Sequence, residues 1–371
     1  MNKISEKINA SIILGSYFDT VGFYNSNWKY NYNVKKTNDP LIVSLINNEL
    51  IYEYLLFNDK NINIKSLYSS DNTILMILTA KATFKGGTLK DYINEYTKNL
   101  NLLEDEKRYS KVTTVNSLKQ IKKTKDINKL NYNDNMTGNG AAIRTCSIGL
   151  IYYKENQLNS LIEKSIQSSR ITHNHTIGFL GGLVTALFTS YAMRNIDPWK
   201  WCDHLIKLYE SNKIDNFIKK TEIYDKYLLD KNSFWNKWYE YREKYLLKIK
   251  NKNINTFNQR IEILKKFSPH IHPNNPDYSK LGSSGLCSVI FAYDSLLLSI
   301  NIENKKNNFN TTPLIIFSSI HPGDNNSTGI ITGCWFGALN GFYDFDVKKM
   351  EQLEFYKELK NISNKIIKKI K

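Results

Sequence analysis

Between His321 and Tyr343 the chain reads HPGDNNSTGIITGCWFGALNGFY, with Gly329, Gly333, Gly337 and Gly341 spaced four apart. On a helix, residues at that spacing fall on roughly one face. Four missing side chains on one face let a second helix come to backbone contact, so this stretch predicts a helix around which others pack. Its apolar run is too short to cross a bilayer and reads as buried core. The start is polar: after the turn His321-Pro322-Gly323 come Asp324, Asn325, Asn326, Ser327 and Thr328. Side-chain oxygens of this kind cap helices by accepting from first-turn N–H groups. They are also a natural seat for a metal or an anionic ligand. Standing alone, the stretch is best read as a capped core helix.

It does not stand alone. Far upstream, Ser69-Ser70-Asp71-Asn72-Thr73 runs directly into the apolar Ile74-Leu75-Met76-Ile77-Leu78-Thr79-Ala80. Two helix N-termini of this make, brought together, would offer carboxylate, amide and hydroxyl oxygens to a hard cation.

Further matches lie in Asp19-Thr20-Val21-Gly22-Phe23-Tyr24-Asn25, Gly138-Asn139-Gly140-Ala141-Ala142-Ile143-Arg144, Arg170-Ile171-Thr172-His173-Asn174-His175 and Gly282-Ser283-Ser284-Gly285. With the two acidic clusters, these stretches resemble the ADP-ribosylglycohydrolase family, and its ADP-ribosylarginine hydrolase branch most closely. Each motif is weak alone; six in the same order over nearly the whole chain are specific. The resemblance implies an all-α chain, one compact orthogonal multi-helix domain over residues 1–371. It also implies cleavage of the N-glycosidic bond between ADP-ribose and a protein arginine, with two Mg²⁺ ions between the acidic helix ends. By the same resemblance, Asp71 and Asp324 are the catalytic carboxylates. Ser70, Asp71, Asn72, Asp324, Asn326 and Ser327 are then the metal-site positions. Gly138, Asn139, Gly140, His173, Ser283, Ser284 and Gly285 contact substrate, and the region Lys122 to Thr137 arches over it.

This chain departs from the family pattern at the metal centre. Asn72 and Asn326 stand where the second acid of each cluster is expected, and Lys29 stands where a glutamate follows the tryptophan matched by Trp28. Phe18 replaces a glycine before Asp19, and Leu286-Cys287 replaces a His-Asp pair. Asp19 itself is either a metal-site acid or a structural carboxylate. Two unit charges ~4 Å apart interact by roughly 4 kcal/mol at an effective dielectric near 20. Losing two carboxylates therefore removes several kcal/mol from a two-ion site, and one Mg²⁺ or none is expected. Two functions follow: an active Mg²⁺-dependent hydrolase, or a catalytically impaired relative that binds ADP-ribose, an ADP-ribosylated protein or a partner protein.

The net charge of +16 favours anionic partners. Much of the lysine, however, lies beside asparagine in runs such as Lys248 to Asn253, and no aromatic-interleaved basic motif is present, which argues against nucleic acid. Cys146, Cys202, Cys287 and Cys334 form no CxxC pair and point to reduced, buried thiols in a cytoplasmic protein. No secretory signal is expected at the N-terminus, and no stretch is expected to span a membrane.

Local signals complete the helical reading. Helices are predicted over 3 to 24, from Asp39-Pro40 with an Ile42, Leu45, Ile46, Leu50 stripe, and after a capping box at Thr88 to Asp91. Asn58 to Lys65 and Lys122 to Thr137 read as loops, the latter as a mobile one. Ala141 to Tyr153 reads as a helix whose free N–H groups face a diphosphate, with Arg144 either a phosphate clamp or a surface charge. Leu158 to Arg170 and Ile177 to Ala192 are predicted helices. His173 and His175 suit polar contact or capping better than zinc. Phe234, Trp238, Tyr241 and Tyr245 form a core stripe, and Ser268 to Asp277, with His270 and His272, is a surface loop. An amphipathic helix closes the chain.

Overall fold

Why a helix can sit at the centre of this chain is answered by its glycines. In the computed structural model, which describes residues 3–28, 39–251, 257–272, 274, 276–301 and 308–370, six helices position the site. They are α1 (Lys3–Phe23), α2 (Asp71–Lys85), α3 (Val112–Thr124), α4 (Thr176–Met193), α5 (Gly285–Leu298) and α6 (Asn325–Asn340). Helices α1 and α6 pack along their whole lengths. A Cβ added at Gly333 would lie 2.5 Å from the Leu14 carbonyl, and one at Gly337 would lie 2.5 Å from that of Ala10. The fit is mutual, because a Cβ on Gly22 of α1 would lie 2.9 Å from Asn326 Cα. Real Cβ atoms do not come so close, so these glycines set the separation of the two backbones. Gly341, with φ of +70°, closes α6.

The other helices wrap this pair into a single compact helical domain, with α4 and α5 against α6. Both α4 and α6 are buried on every face, so neither has an amphipathic pattern. The described strands are a two-residue antiparallel pair, with Ile300 opposite Phe309. Phe234, Trp238, Tyr241 and Tyr245 are buried, as their spacing predicts. The capping box at Thr88 forms, with its hydroxyl accepting from Asp91 N at 3.2 Å.

Several local expectations are corrected. Helix α4 is 18 residues long and apolar enough to span a membrane by length and composition, yet every residue in it is buried in protein. Residues 140–145 form turns and the helix expected from Ala141 starts only at Cys146, because Arg144 folds back to donate to the Gly140 carbonyl at 2.7 Å. The helix Pro40–Asn61 runs into the expected loop, and it buries Val43, Ile46, Leu50 and Tyr54 while leaving Ile42 and Leu45 exposed. Ile46 and Leu50 pack as the expected stripe has them, while Ile42 and Leu45 do not, because Leu41, Ile42 and Leu45 are as apolar as the face that packs. The stretch expected to be a mobile loop begins inside α3 and continues through two 3-10 turns. It is tied down where Asn174 donates to the Leu130 carbonyl at 3.1 Å and Tyr132 donates to Asp230 at 2.6 Å.

Candidate functional site

Backbone contact between α1 and α6 brings Asp19 of α1 beside the first turn of α6. Asp19 is wholly buried and is met by donors from two other helices. They include Ser70 N at 3.1 Å, Ser70 Oγ at 2.6 Å, Thr73 Oγ1 at 2.7 Å and Asn326 Nδ2 at 3.1 Å. One carboxylate thus bolts the start of α2 to the start of α6. Ser70 is the N-cap of α2, accepting from Asn72 N at 3.1 Å, and it also accepts from Asn326 Nδ2 at 2.9 Å. The two polar clusters read from sequence therefore meet, and Asp19 is what holds them.

A second network runs across the same junction. Asn72 Nδ2 donates to Ser327 Oγ at 3.2 Å, and Ser327 Oγ donates to Asp324 Oδ1 at 2.9 Å. Asp324 Oδ2 accepts from Asn139 Nδ2 at 2.9 Å and from the ammonium of Lys111. Lys111 also donates to Asn139 Oδ1. Asp71 is buried at the first position of α2. Lys29 lies outside the described residues.

This donor set is poor in negative charge for two divalent ions. Four positive charges would face the carboxylates of Asp71, Asp324 and Asp19, of which Asp19 accepts from Ser70, Thr73 and Asn326 and Asp324 accepts from an ammonium. Both amides in the acid positions turn their NH₂ groups toward oxygens, although Asn326 Oδ1 is buried with no hydrogen-bond partner. Among the described residues no group of three or more His, Cys, Asp or Glu side chains is placed to hold a metal.

Beside this junction the two glycine loops are knitted together. Asn139 N donates to the Ser283 carbonyl at 3.1 Å, Gly285 N donates to that of Thr137 at 2.9 Å, and Gly138 pairs with Ser284 as an antiparallel bridge. Asn139 Nδ2 adds a bond of 2.6 Å to the Gly282 carbonyl. Those two backbone donors are spent on the protein, so the expected diphosphate cradle cannot rest on them. Ser284 caps α5, accepting from Cys287 N at 3.0 Å, and His270 bridges Thr137 Oγ1 and Ser283 Oγ at 2.8 and 2.9 Å.

His173 lies under the first loop, where a Cβ on Gly140 would come within 2.5 Å of its Cε1. Its Nδ1 shares a hydrogen bond of 2.8 Å with Thr172 Oγ1, while its Nε2, like the hydroxyl of Thr114, is buried without a partner. Burial first, then the charges of Arg144 and Lys111, holds its pKa well below the usual histidine value, so the ring is neutral at physiological pH. His175 is a cap, accepting from Ile177 N at 3.1 Å through Nδ1. Arg144 is neither clamp nor surface charge; it is buried, donating to the Gly140 and Ser168 carbonyls at 2.7 Å each.

Lys111 is the site residue that sequence reasoning missed. It is one of 51 lysines and arginines and sits in no motif. The available hint was its place immediately before an amphipathic helix, where the chain must turn.

A helical fold built on two apposed acidic helix ends defines a class, and comparison with known proteins gives it a family. The ADP-ribosylglycohydrolase family model matches residues 36–371. The ADP-ribosylhydrolase ARH1 of Dictyostelium discoideum is 30% identical over 97% of this chain and 93% of its own length. A protein of Acanthamoeba polyphaga mimivirus, provisionally named an ADP-ribosyl glycohydrolase, is 30% identical over 94% of this chain and 67% of its own length. A solved ADP-ribosylglycohydrolase-related protein complex superposes over the full length of both chains with a TM-score of 0.58 at 12% identity, a likeness of fold. The chain belongs to the ADP-ribosylglycohydrolase family.

Proposed function

We propose that the junction of α2 and α6 takes the ADP-ribose unit of an ADP-ribosylated arginine, and that the chain holds this ligand more readily than it hydrolyses it. The similarity to an ADP-ribosylhydrolase named ARH1 supports the arginine-linked substrate. The observation that carries the impairment is the ammonium of Lys111 on Asp324, in the company of Asn72 and Asn326.

Hydrolysis of an N-glycosidic bond needs a water oriented by a carboxylate and positive charge near the sugar hydroxyls. Asp324 is the carboxylate best placed to orient a water or hydroxyl. There the water competes with Lys111, Asn139 and Ser327, each of which Asp324 already accepts from. Asp71 is retained, so residual turnover is part of the proposal. Neutral His173 and the hydroxyl of Thr114 are buried polar groups beside the glycine loops and can answer ligand oxygens or N–H groups without any metal. A reducing, cytoplasmic setting is supported by four free, buried cysteines.

A working hydrolase is the second reading, favoured by the presence of both Asp71 and Asp324 at the junction. Calorimetry with ADP-ribose in EDTA tests the first. Binding is expected without metal; no heat up to millimolar ligand, with the protein folded, removes it.

A further inference from the structure

We infer that Lys111 is a tethered cation that stands in for one divalent ion at Asp324 and excludes metal from that end of the junction. The inference concerns the same site as the proposed function, but it does not depend on which ligand enters.

The ammonium is not there by the chance reach of a loose surface chain. Lys111 is the residue before α3, and both flanks of its segment are anchored. On one side, Arg108 donates to the Ser69 carbonyl at 2.8 Å and forms a two-pronged pair with Glu354 at 2.6 and 2.7 Å. Glu354 in turn accepts from Ser69 N at 3.0 Å, so this strap is fastened to the residue next to the α2 cap. Tyr109 takes the left-handed region, with φ of +54°, which turns the chain between strap and helix. On the other side, α3 buries Leu118 and Ile121, and Ser117 Oγ donates to the Thr172 carbonyl at 3.2 Å. The strap thus starts at the α2 end and delivers Lys111 to the α6 end.

At its destination the charge is needed. Asp324 is completely buried, and a buried carboxylate requires a partner of opposite charge or strong donors. Lys111 has 19% of its side chain exposed, so the pair is closed on the carboxylate side and only partly open on the other. A divalent ion seated on Asp324 would meet that ammonium at close range, and like charges so close oppose binding strongly. Removing the ammonium takes one positive charge away from Asp324 and leaves its carboxylate beside the oxygens of Asn139 and Ser327. Asn326 adds a buried amide oxygen in the same first turn of α6 that has no hydrogen-bond partner.

The test is titration of Mg²⁺, with no nucleotide present, into the full chain and into Lys111→Met and Lys111→Arg, followed by calorimetry and by melting temperature. The full chain and Lys111→Arg are expected to bind weakly. Lys111→Met is expected to bind at least tenfold tighter, to melt lower than the full chain without metal, and to recover with it. Lys111→Gln serves the same purpose where Lys111→Met does not fold. Equal affinity in all forms, or two tightly held ions in the unaltered chain, would overturn the inference. Failure of ADP-ribose binding in EDTA would leave it intact, so the two readings fail separately.

Discussion

The two helix ends that meet at the site have similar sequences and opposite uses. At α2, Ser70 caps the helix, and its hydroxyl and backbone N–H donate to Asp19, so that end is closed on a protein acceptor. At α6, Asp324 makes no side-chain cap and faces Asn139, Ser327 and the cation of Lys111. The first end is scaffold, secured by a neighbour in the adjoining helix. The second is poised, because its charge is answered by a side chain that reaches it from a separate segment. Similar polar clusters therefore do not imply equal roles.

The largest way to break this comparison is to remove the bolt. Asp19→Ala takes the acceptor from Ser70 N and Oγ and one of two acceptors from Thr73 and Asn326, which keep Ser16 Oγ and Ser70 Oγ, and should cost about 3 to 5 kcal/mol in urea unfolding. Asp324→Asn should cost about 2 kcal/mol, since Lys111 can turn to water. Equal losses would mean that both ends are scaffold.

The amides sharpen it next. Asn326→Asp replaces a donor to Asp19 with a second negative charge and should destabilise by about 2 to 3 kcal/mol without metal. Asn72→Asp faces the Ser327 hydroxyl, which can donate to it by leaving Asp324, and should cost about 1 to 2 kcal/mol. The reverse order, read from the same unfolding curves, would place the tighter network around Asp324 and not around Asp19.

Acid should act on the α6 end. His321 is buried against the Phe291 ring and its Nε2 bonds Thr328 Oγ1 at 2.7 Å. Burial, with the nearby Arg260 charge, lowers its pKa from 6.5 to about 3. A proton therefore prefers the unfolded chain. The contribution is complete above pH 6.5 and declines as pH falls toward about 3, by about 2 kcal/mol at pH 5. Hydrogen exchange at pH 5 should show α6 losing protection before α2, and His321→Asn should have a shallower pH dependence between 7 and 5.

Much of this arrangement was legible from residue types. Glycines every four residues specified a backbone-close partner, and Ser70 and Asp324 announced two helix starts of one make. His175 and Thr88 carried their capping roles in their positions. What was not legible depends on distance in space. Arg144 reads as a phosphate clamp or a surface charge because nothing local says that its guanidinium folds back on Gly140 and Ser168. Lys111 was hidden because one lysine among many has no mark until the fold carries it to Asp324. The glycine loops kept their place, yet their backbone donors were spent on each other, which the pattern of glycines and serines could not convey.

The central claim is that a family site has been disarmed at its cation end. Its direct measure is release of ADP-ribose from ADP-ribosylarginine with Mg²⁺, by the unaltered chain and by the triple variant Lys29→Glu, Asn72→Asp, Asn326→Asp made in a Lys111→Met background, so that no ammonium blocks Asp324. The single changes should do little, because residues sharing one centre act as a unit. The account predicts slow release by the unaltered chain and a rate at least about tenfold higher in the triple variant, since ~1.4 kcal/mol of restored charge suffices. An unaltered chain already as fast as the triple variant would contradict it, and would make this protein an ordinary working hydrolase.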